Sequence, residues 1–374
     1  MEINLLDTLR EHYCASLHVF NYPGGMGQLG SPEWRNKRDE LNRTLISDAT
    51  RLRASGRLDL IFCVVYDDFL LVETAKQLQA LGAPMVNYHV DMAFQWYRVI
   101  RTAPYFDVMA VAQSTNAMHL QRYNPNIEWI PMAANPQFYH ARAMKVSSYQ
   151  YTASFVGSCD PYRRGHVATC LRTGVLPTVF GRGWELAFPA PYQFPWDAYK
   201  IAHDLRYYAL PRWRAERLES FTGPLKRKLS RRLPLQRLDG PEFRPPCSDE
   251  TLPEIFRSSQ INLGFSDIGW DQGNPPLTSK IRQCRLRDFE VPMSGGFYLV
   301  QQAPDHEVHY EIGKEIETWS EPDELADKVV YYSKNKQAAE RIREAGLKRA
   351  LVSHTWQHRF NQLFNRLRTM KCLS

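Results

Sequence analysis

Through its first half the chain alternates short β-branched and aromatic runs with longer stretches whose apolar residues recur at helical spacing. "SLHVFNY" (16–22) reads as a strand, and "KRDELNRTLISDATRLRASG" (37–56) as a helix that stops at a glycine. "LDLIFCVVY" (58–66) predicts a buried strand, "DDFLLVETAKQLQALG" (67–82) a second capped helix, and "PMVNYHVD" (84–91) and "FDVMAVAQS" (106–114) further strands. The pattern restarts at "TASFVGSC" (152–159), with strands at "VLPTVFG" (175–181), "INLGFS" (261–266) and "GGFYLVQ" (295–301), before long C-terminal helices. Strands separated by helices predict parallel sheets covered on both faces. The expected fold is therefore α/β, with two Rossmann-like domains.

The domain bounds expected from this pattern are 1–145, 146–352 and a closing amphipathic helix, 353–374, that crosses back to the first domain. Residues 184–250 break the alternation and are rich in Pro, Arg and Trp. Within them "PLKRKLSRRLP" (224–234) repeats leucine every four residues, at Leu225, Leu229 and Leu233, with five cations between. Pro224 suits a first helical position and Pro234 a stop, so this reads as a short basic amphipathic helix.

A length of 374 residues exceeds one ordinary core, which supports two domains. At 44% hydrophobic and 23% charged the composition is globular. No apolar run approaches the roughly 20 residues of a membrane-spanning helix. The opening "MEINLLDTLREHY" has neither the basic region nor the apolar core of a secretory leader. Seven scattered cysteines without a C-x-x-C pair favour reduced thiols in a cytoplasmic protein over disulfides or zinc. A net charge of +7 implies anionic company: phosphates, nucleotides, nucleic acid or an acidic membrane face.

Four segments carry candidate chemistry. In "FVGSCDPYRRGH" (155–166) Gly157 and Ser158 permit close backbone approach to an anion, and Arg163 and Arg164 can neutralise a diphosphate; the same pattern also suits a solvated helix start. In "RDFEVPMSGG" (287–296) Glu290 can begin a short helix that Gly295 and Gly296 break. Its carboxylate can accept both hydroxyls of a ribose or pair with Arg287 at helical spacing. In "VNYHVD" (86–91) period-2 geometry puts His89 and Asp91 on one side of a strand, where one can act as general base or Asp91 can cap a helix. "PGGMGQLG" (23–30) lacks the Walker pattern and is an acceptor loop or a connector. His354 reads as a packing or capping residue.

Taken in order, "SFVGSCDPYRRGH…VFGRGW", "INLGF", "LRDFEVPMSGGFYLVQ" and "HTWQHRF" resemble the CgeB-like (spore-maturation) glycosyltransferases of GT-B architecture. "VNYHVD" and the following run to "IPMAANPQFY" match the family's first-half pattern. The resemblance implies a nucleotide-sugar donor on the second domain, an acceptor on the first, and no essential metal or other cofactor. It makes Glu290 the ribose-binding acid and puts Gly157, Ser158, Arg163 and Arg164 near the diphosphate. Gly295 and Gly296 are implied on the same donor side, with Lys280 and Arg282 as further cations.

Three departures accompany it. Arg282 stands where many related retaining enzymes carry a second acid, the first βα unit is shortened, and 184–250 is an insertion. The acceptor expected is a glycan, a lipid-linked glycan or another hydroxyl compound. Peripheral contact with an anionic membrane is expected through 224–234. A catalytically silent nucleotide-sugar-binding protein is the alternative. Modification of nucleic acid ranks lower, since no DNA-binding motif is present.

Overall fold

The computed structural model describes residues 2–142, 148–184, 197–216, 238, 242–268 and 281–372. Two compact units emerge: Met1–Thr8, Met132–Gln193 and Arg227–Arg359 form one, and Leu9–Pro131, Phe194–Lys226 and Phe360–Ser374 the other. Each is built on a parallel sheet, as the alternation of strands and helices predicts.

In the unit containing Leu9–Pro131 the sheet order is β1 (Ile61–Cys63), β2 (Met85–His89), β3 (Val108–Val111) and β4 (Ile127–Trp129). Register is set by pairs such as Val86 with Val108 and Met109 with Ile127. β2 and β3 are buried throughout; β3 is apolar at every position, while β2 also buries His89 and Asn87, the latter paired with the Val65 backbone at 3.1 Å. Helix Pro32–Ala54 starts at Ser31, whose hydroxyl accepts the Trp34 amide at 3.1 Å.

The unit containing Met132–Gln193 holds six strands: β5 (Tyr151–Val156), β6 (Thr178–Phe180), β7 (Glu242–Arg244), β8 (Ser259–Gly264), β9 (Tyr298–Gln301) and β10 (Glu317–Trp319). Their spatial order is β10-β9-β8-β5-β6-β7. Val167, Val179, Leu263, Phe297, Leu299 and Trp319 belong to the core of this unit.

The expected strand at 16–22 does not form. A strand needs a neighbour to satisfy its backbone, and this segment instead packs through Tyr22, whose ring meets Phe69 at 4.9 Å. β4, β7 and β10 span three residues each and were not among the expected strands; β1 and β6 are as short but sit inside longer β-rich runs, 58–66 and 175–181. The compact units also differ from the expected bounds. Asn4 accepts the Asn135 amide at 2.9 Å, tying the first residues to the 132–359 unit. Residues 197–216 pack on the other unit, where Arg38 donates to the Tyr207 hydroxyl at 2.9 Å. From Phe360 onward the last helix also belongs there, with Gln362 donating to the Trp129 carbonyl at 3.1 Å. The basic run 224–234 lies outside the described residues. Among the described residues no helix is long and apolar enough to cross a membrane, and the seven cysteines are free thiols.

Three buried imidazoles set an acid limit on stability. Burial pushes the His89 pKa down to about 4. Burial, then the Arg359 charge, pushes His309 and His354 down to about 3. Each stays neutral when folded but protonates near pH 6.5 when unfolded. The unfolded state therefore binds more protons below pH 6.5, and stability falls as pH drops from there towards 4. At pH 5.5 each histidine removes about 1.4 kcal/mol relative to neutral pH. Asp67 works the other way, because burial raises its carboxyl to about 6, against hydrogen bonds from Thr102 and Arg101, and folding then takes up a proton below that pH. Three against one, the urea midpoint is expected to decrease between pH 7 and 5.5; a flat or rising midpoint would contradict this burial.

Candidate functional site: a strand-end pocket with three arginines

In the six-stranded sheet the chain runs outward from β5 to β6 and β7, then returns to β8 on the other side of β5. The order reverses between β5 and β8. Their carboxyl ends therefore diverge into loops on opposite faces, and the crevice between is where open parallel sheets accept ligands. A pocket occupies this place, lined by Val156, Arg163, Gly264, Arg285, Arg287 and Tyr298 among others.

The β5 end of the pocket is a clamped turn. Gly157 donates its amide to the Phe180 carbonyl at 2.9 Å, and its own carbonyl accepts the indole of fully buried Trp184 at 2.8 Å. Gly181 makes this approach possible, since a Cβ there would stand 2.1 Å from the Gly157 oxygen. Helix Pro161–Arg172 follows, with Asp160 as cap accepting the Arg163 amide at 2.9 Å.

The Arg163 side chain folds back over the turn, donating to the Ser158 carbonyl at 2.8 Å and lying 3.1 Å from the Asp160 carboxylate. Burial lowers its pKa; Asp160 partly restores it, and the nearby Arg285 charge lowers it further. Arg285 donates to the Asp267 carbonyl at 2.6 Å, and its buried Nε has no hydrogen-bond partner. Arg287 begins helix Arg287–Met293 and pairs with Glu290 one turn on. Although burial disfavours the Arg287 charge, Glu290 outweighs it and the pKa is raised. Guanidinium groups drawn together beside a glycine turn make a site for an anion with more than one charge.

A buried network supports the pocket from below. Tyr298 donates to Asp288 at 2.9 Å, as does the Arg285 amide. The Ala303 amide donates to His306 Nδ1, so His306 Nε2 carries the proton and donates to Asp288 at 2.8 Å. Burial opposes the Asp288 charge, but His306 and these donors hold its pKa below the usual range. Cys284, Asp288 and His306 also form a candidate metal-ligand cluster, with ligand atoms within 4.8 Å of one another. Asp288 already accepts these hydrogen bonds, so the group fits a support for Tyr298 and Arg285.

Of the residues singled out in the sequence, Arg163 lines the pocket, and Gly157 and Ser158 form the turn that follows Val156 at its β5 end. Arg164 is instead buried, 1% exposed, with Nη1 3.7 Å from Cys159 Sγ. Arg282 pairs with Asp267 at 3.3 Å and donates to the Ser320 carbonyl. Gly295 and Gly296 precede β9 and are not part of the pocket lining, although Gly296 adjoins Phe256, Asn262 and Val291, which are. Gly295 has φ +73, and a Cβ on Gly296 would stand 2.8 Å from both Asn262 and Val291, so this pair closes the helix onto the sheet. Lys280 lies outside the described residues.

Glu290 is 1% exposed, and its oxygens are taken by Tyr139 and Asn4 on one side and Arg287 on the other. In the other unit, Asp91 accepts the Tyr66 hydroxyl at 3.0 Å, while His89 is buried with Nε2 3.2 Å from the Gln95 carbonyl. Arg285 and Tyr298 were not singled out, and Arg287 only as a partner for Glu290. The signal was the doublet of arginines in "RLRDFE", two residues apart just before a helix.

Residues 214–365 match a family model described as glycosyl transferase-like. No curated protein matches the chain. Among solved structures, Anabaena HepE in complex with UDP and glucose is similar at a TM-score of 0.54 and 10% identity, over 88% of this chain and 82% of that one. A glycosyltransferase from Rickettsia africae is similar at 0.52 and 10% identity, over 94% and 84%. Sucrose-phosphate synthase from Thermosynechococcus elongatus follows at 0.51 and 10%, over 91% and 82%. At such identity the likeness is one of fold: two parallel α/β units, as in GT-B glycosyltransferases.

Proposed function

We propose that this protein is a metal-independent, cytoplasmic glycosyltransferase that binds a nucleotide-sugar donor at the β5/β8 crevice and passes the sugar to a hydroxyl acceptor. The observation that carries this reading is the convergence of Arg163, Arg285 and Arg287 on one strand-end pocket. The match of residues 214–365 to a glycosyl transferase-like model supports it, as do the solved complexes of HepE with UDP and UDP-glucose. When the glycosidic bond breaks, negative charge grows on the departing diphosphate. Fixed guanidinium groups stabilise that charge without reorganising.

In this reading Arg163 and Arg285 hold the diphosphate, with Gly157 and Ser158 giving close backbone approach. Arg287 adds the third cation, oriented by Glu290. A ribose-binding Glu290 would have to exchange its Tyr139 or Asn4 hydrogen bond for sugar hydroxyls. Asp91, half-buried at the end of β2, is the candidate for taking the acceptor proton; buried, neutral His89 supports it through Tyr66.

The test is a melting-temperature series against UDP, GDP, ADP, CMP and dTDP and their sugars, with and without EDTA, followed by donor hydrolysis. A ligand at about 100 times its Kd adds about 2.7 kcal/mol. At least one diphosphate is expected to stabilise the chain regardless of chelator and its sugar ester to be turned over. No stabilisation by any of them would reject the reading. The second reading, a binding protein without transferase activity, is favoured by Arg282 pairing with Asp267 in place of a second acid. Stabilisation without turnover would select it.

A further inference from the structure

Residues 198–216 form one continuous helical run, with a π turn at Leu205–Ala209 between helices Ala198–Asp204 and Leu210–Glu216. With that turn, the buried positions recur every four residues, at His203, Tyr207 and Pro211. The buried face is polar and aromatic. His203 Nε2 lies 3.5 Å from Asp68, both of whose oxygens accept from Arg98 Nη2, and the guanidinium is itself held between the rings of Tyr66 and Tyr208 at 3.9 and 4.5 Å.

The outward face is the reverse of an ordinary surface helix. Among the described residues nine large hydrophobic side chains are exposed, and four fall on this run: Tyr199, Leu205, Leu210 and Trp213. Ala202 and Ala209 lie exposed among them, with Arg206 and Arg214. A soluble helix puts its apolar stripe inward, so a stripe turned outward calls for an occupant.

We infer that this face docks on an anionic lipid surface. Charge complementarity selects that occupant. Both arginines share the stripe. Of the acids on or flanking the run, Asp204 is paired with Lys200, Asp197 accepts from Gln28, and Glu216 closes it. The four cations Lys200, Arg206, Arg212 and Arg214 outnumber them, and the chain carries a net +7. Leucine and tryptophan enter the acyl boundary while arginine stays at the headgroups. A lipid contact here is independent of what the six-stranded unit binds.

The experiment is co-sedimentation of the full chain with vesicles of phosphatidylcholine alone and of a phosphatidylcholine/phosphatidylglycerol mixture. The wild-type chain is expected to sediment with the mixed vesicles and to be released by salt. Arg206→Glu with Arg214→Glu should lower its partition coefficient by at least about tenfold, since each cation near an anionic surface contributes roughly fivefold. Leu210→Ser with Trp213→Ser should lower it comparably, while both variants keep the wild-type urea midpoint. Two outcomes overturn the inference: partition unchanged in both variants, or a wild-type chain that ignores vesicles but self-associates through Trp213 on sizing. The second would assign the stripe to another copy of the chain.

Discussion

Arg285→Ala is expected to lower kcat/KM for the nucleotide-sugar donor by about 10²–10³-fold, with a parallel loss of diphosphate binding. Removing one preorganised hydrogen-bond donor from a developing oxyanion typically costs about 2.7–4 kcal/mol. Arg285 suits that role because its side-chain bond to the Asp267 carbonyl leaves the buried Nε without a partner. Asp288 accepts the Arg285 amide and thereby fixes the backbone from which the side chain reaches the pocket. Arg285→Lys keeps the charge but not the planar fork, and should recover only part of the activity. Steady-state kinetics with calorimetry on the diphosphate would measure both effects. Wild-type turnover in the alanine variant would remove Arg285 from the site.

Glu290→Ala should destabilise the 132–359 unit by about 3–5 kcal/mol, because it leaves Arg287 without its partner and strands buried Tyr139 and Asn4. Glu290→Gln keeps an acceptor for Tyr139 and should cost less. Urea unfolding measures the loss directly. The ribose assignment predicts something separable: wild-type chain binding UDP more tightly than 2′-deoxy-UDP, and Glu290→Gln losing the distinction. A Glu290→Ala variant with unchanged stability but lost ribose discrimination would show that the carboxylate serves the ligand and not the packing.

The glutamate shows how far a linear reading reaches. That a carboxylate inside "LRDFEVPMSGG" must meet a partner follows from the cost of burying charge, and both alternatives were visible as residue types. Arg287, three residues earlier, was within local reach. Tyr139 and Asn4 were not, lying 151 and 286 positions away. The glycine turn beside the pocket was legible because Gly157, Ser158 and Arg163 sit within seven residues and the capping aspartate lies among them. Arg164 carries the same charge in the same motif, but one helical step turns it into the core. Arg285 belongs with Arg163 only through the crossing from β5 to β8, and no spacing rule joins them.

Local periodicity by itself determined that this chain makes parallel sheets with covering helices, because strand and helix periods are written within a few residues. It also determined which segments could carry anion chemistry. Tertiary structure alone decided the strand order that opens the β5/β8 crevice, since order depends on which faces pack and not on sequence proximity. It decided as well that the first eight residues join the C-terminal unit and that helix run 198–216 faces its apolar side outward. A helical pattern shows which residues share a face; only the surface it packs against decides which face is buried.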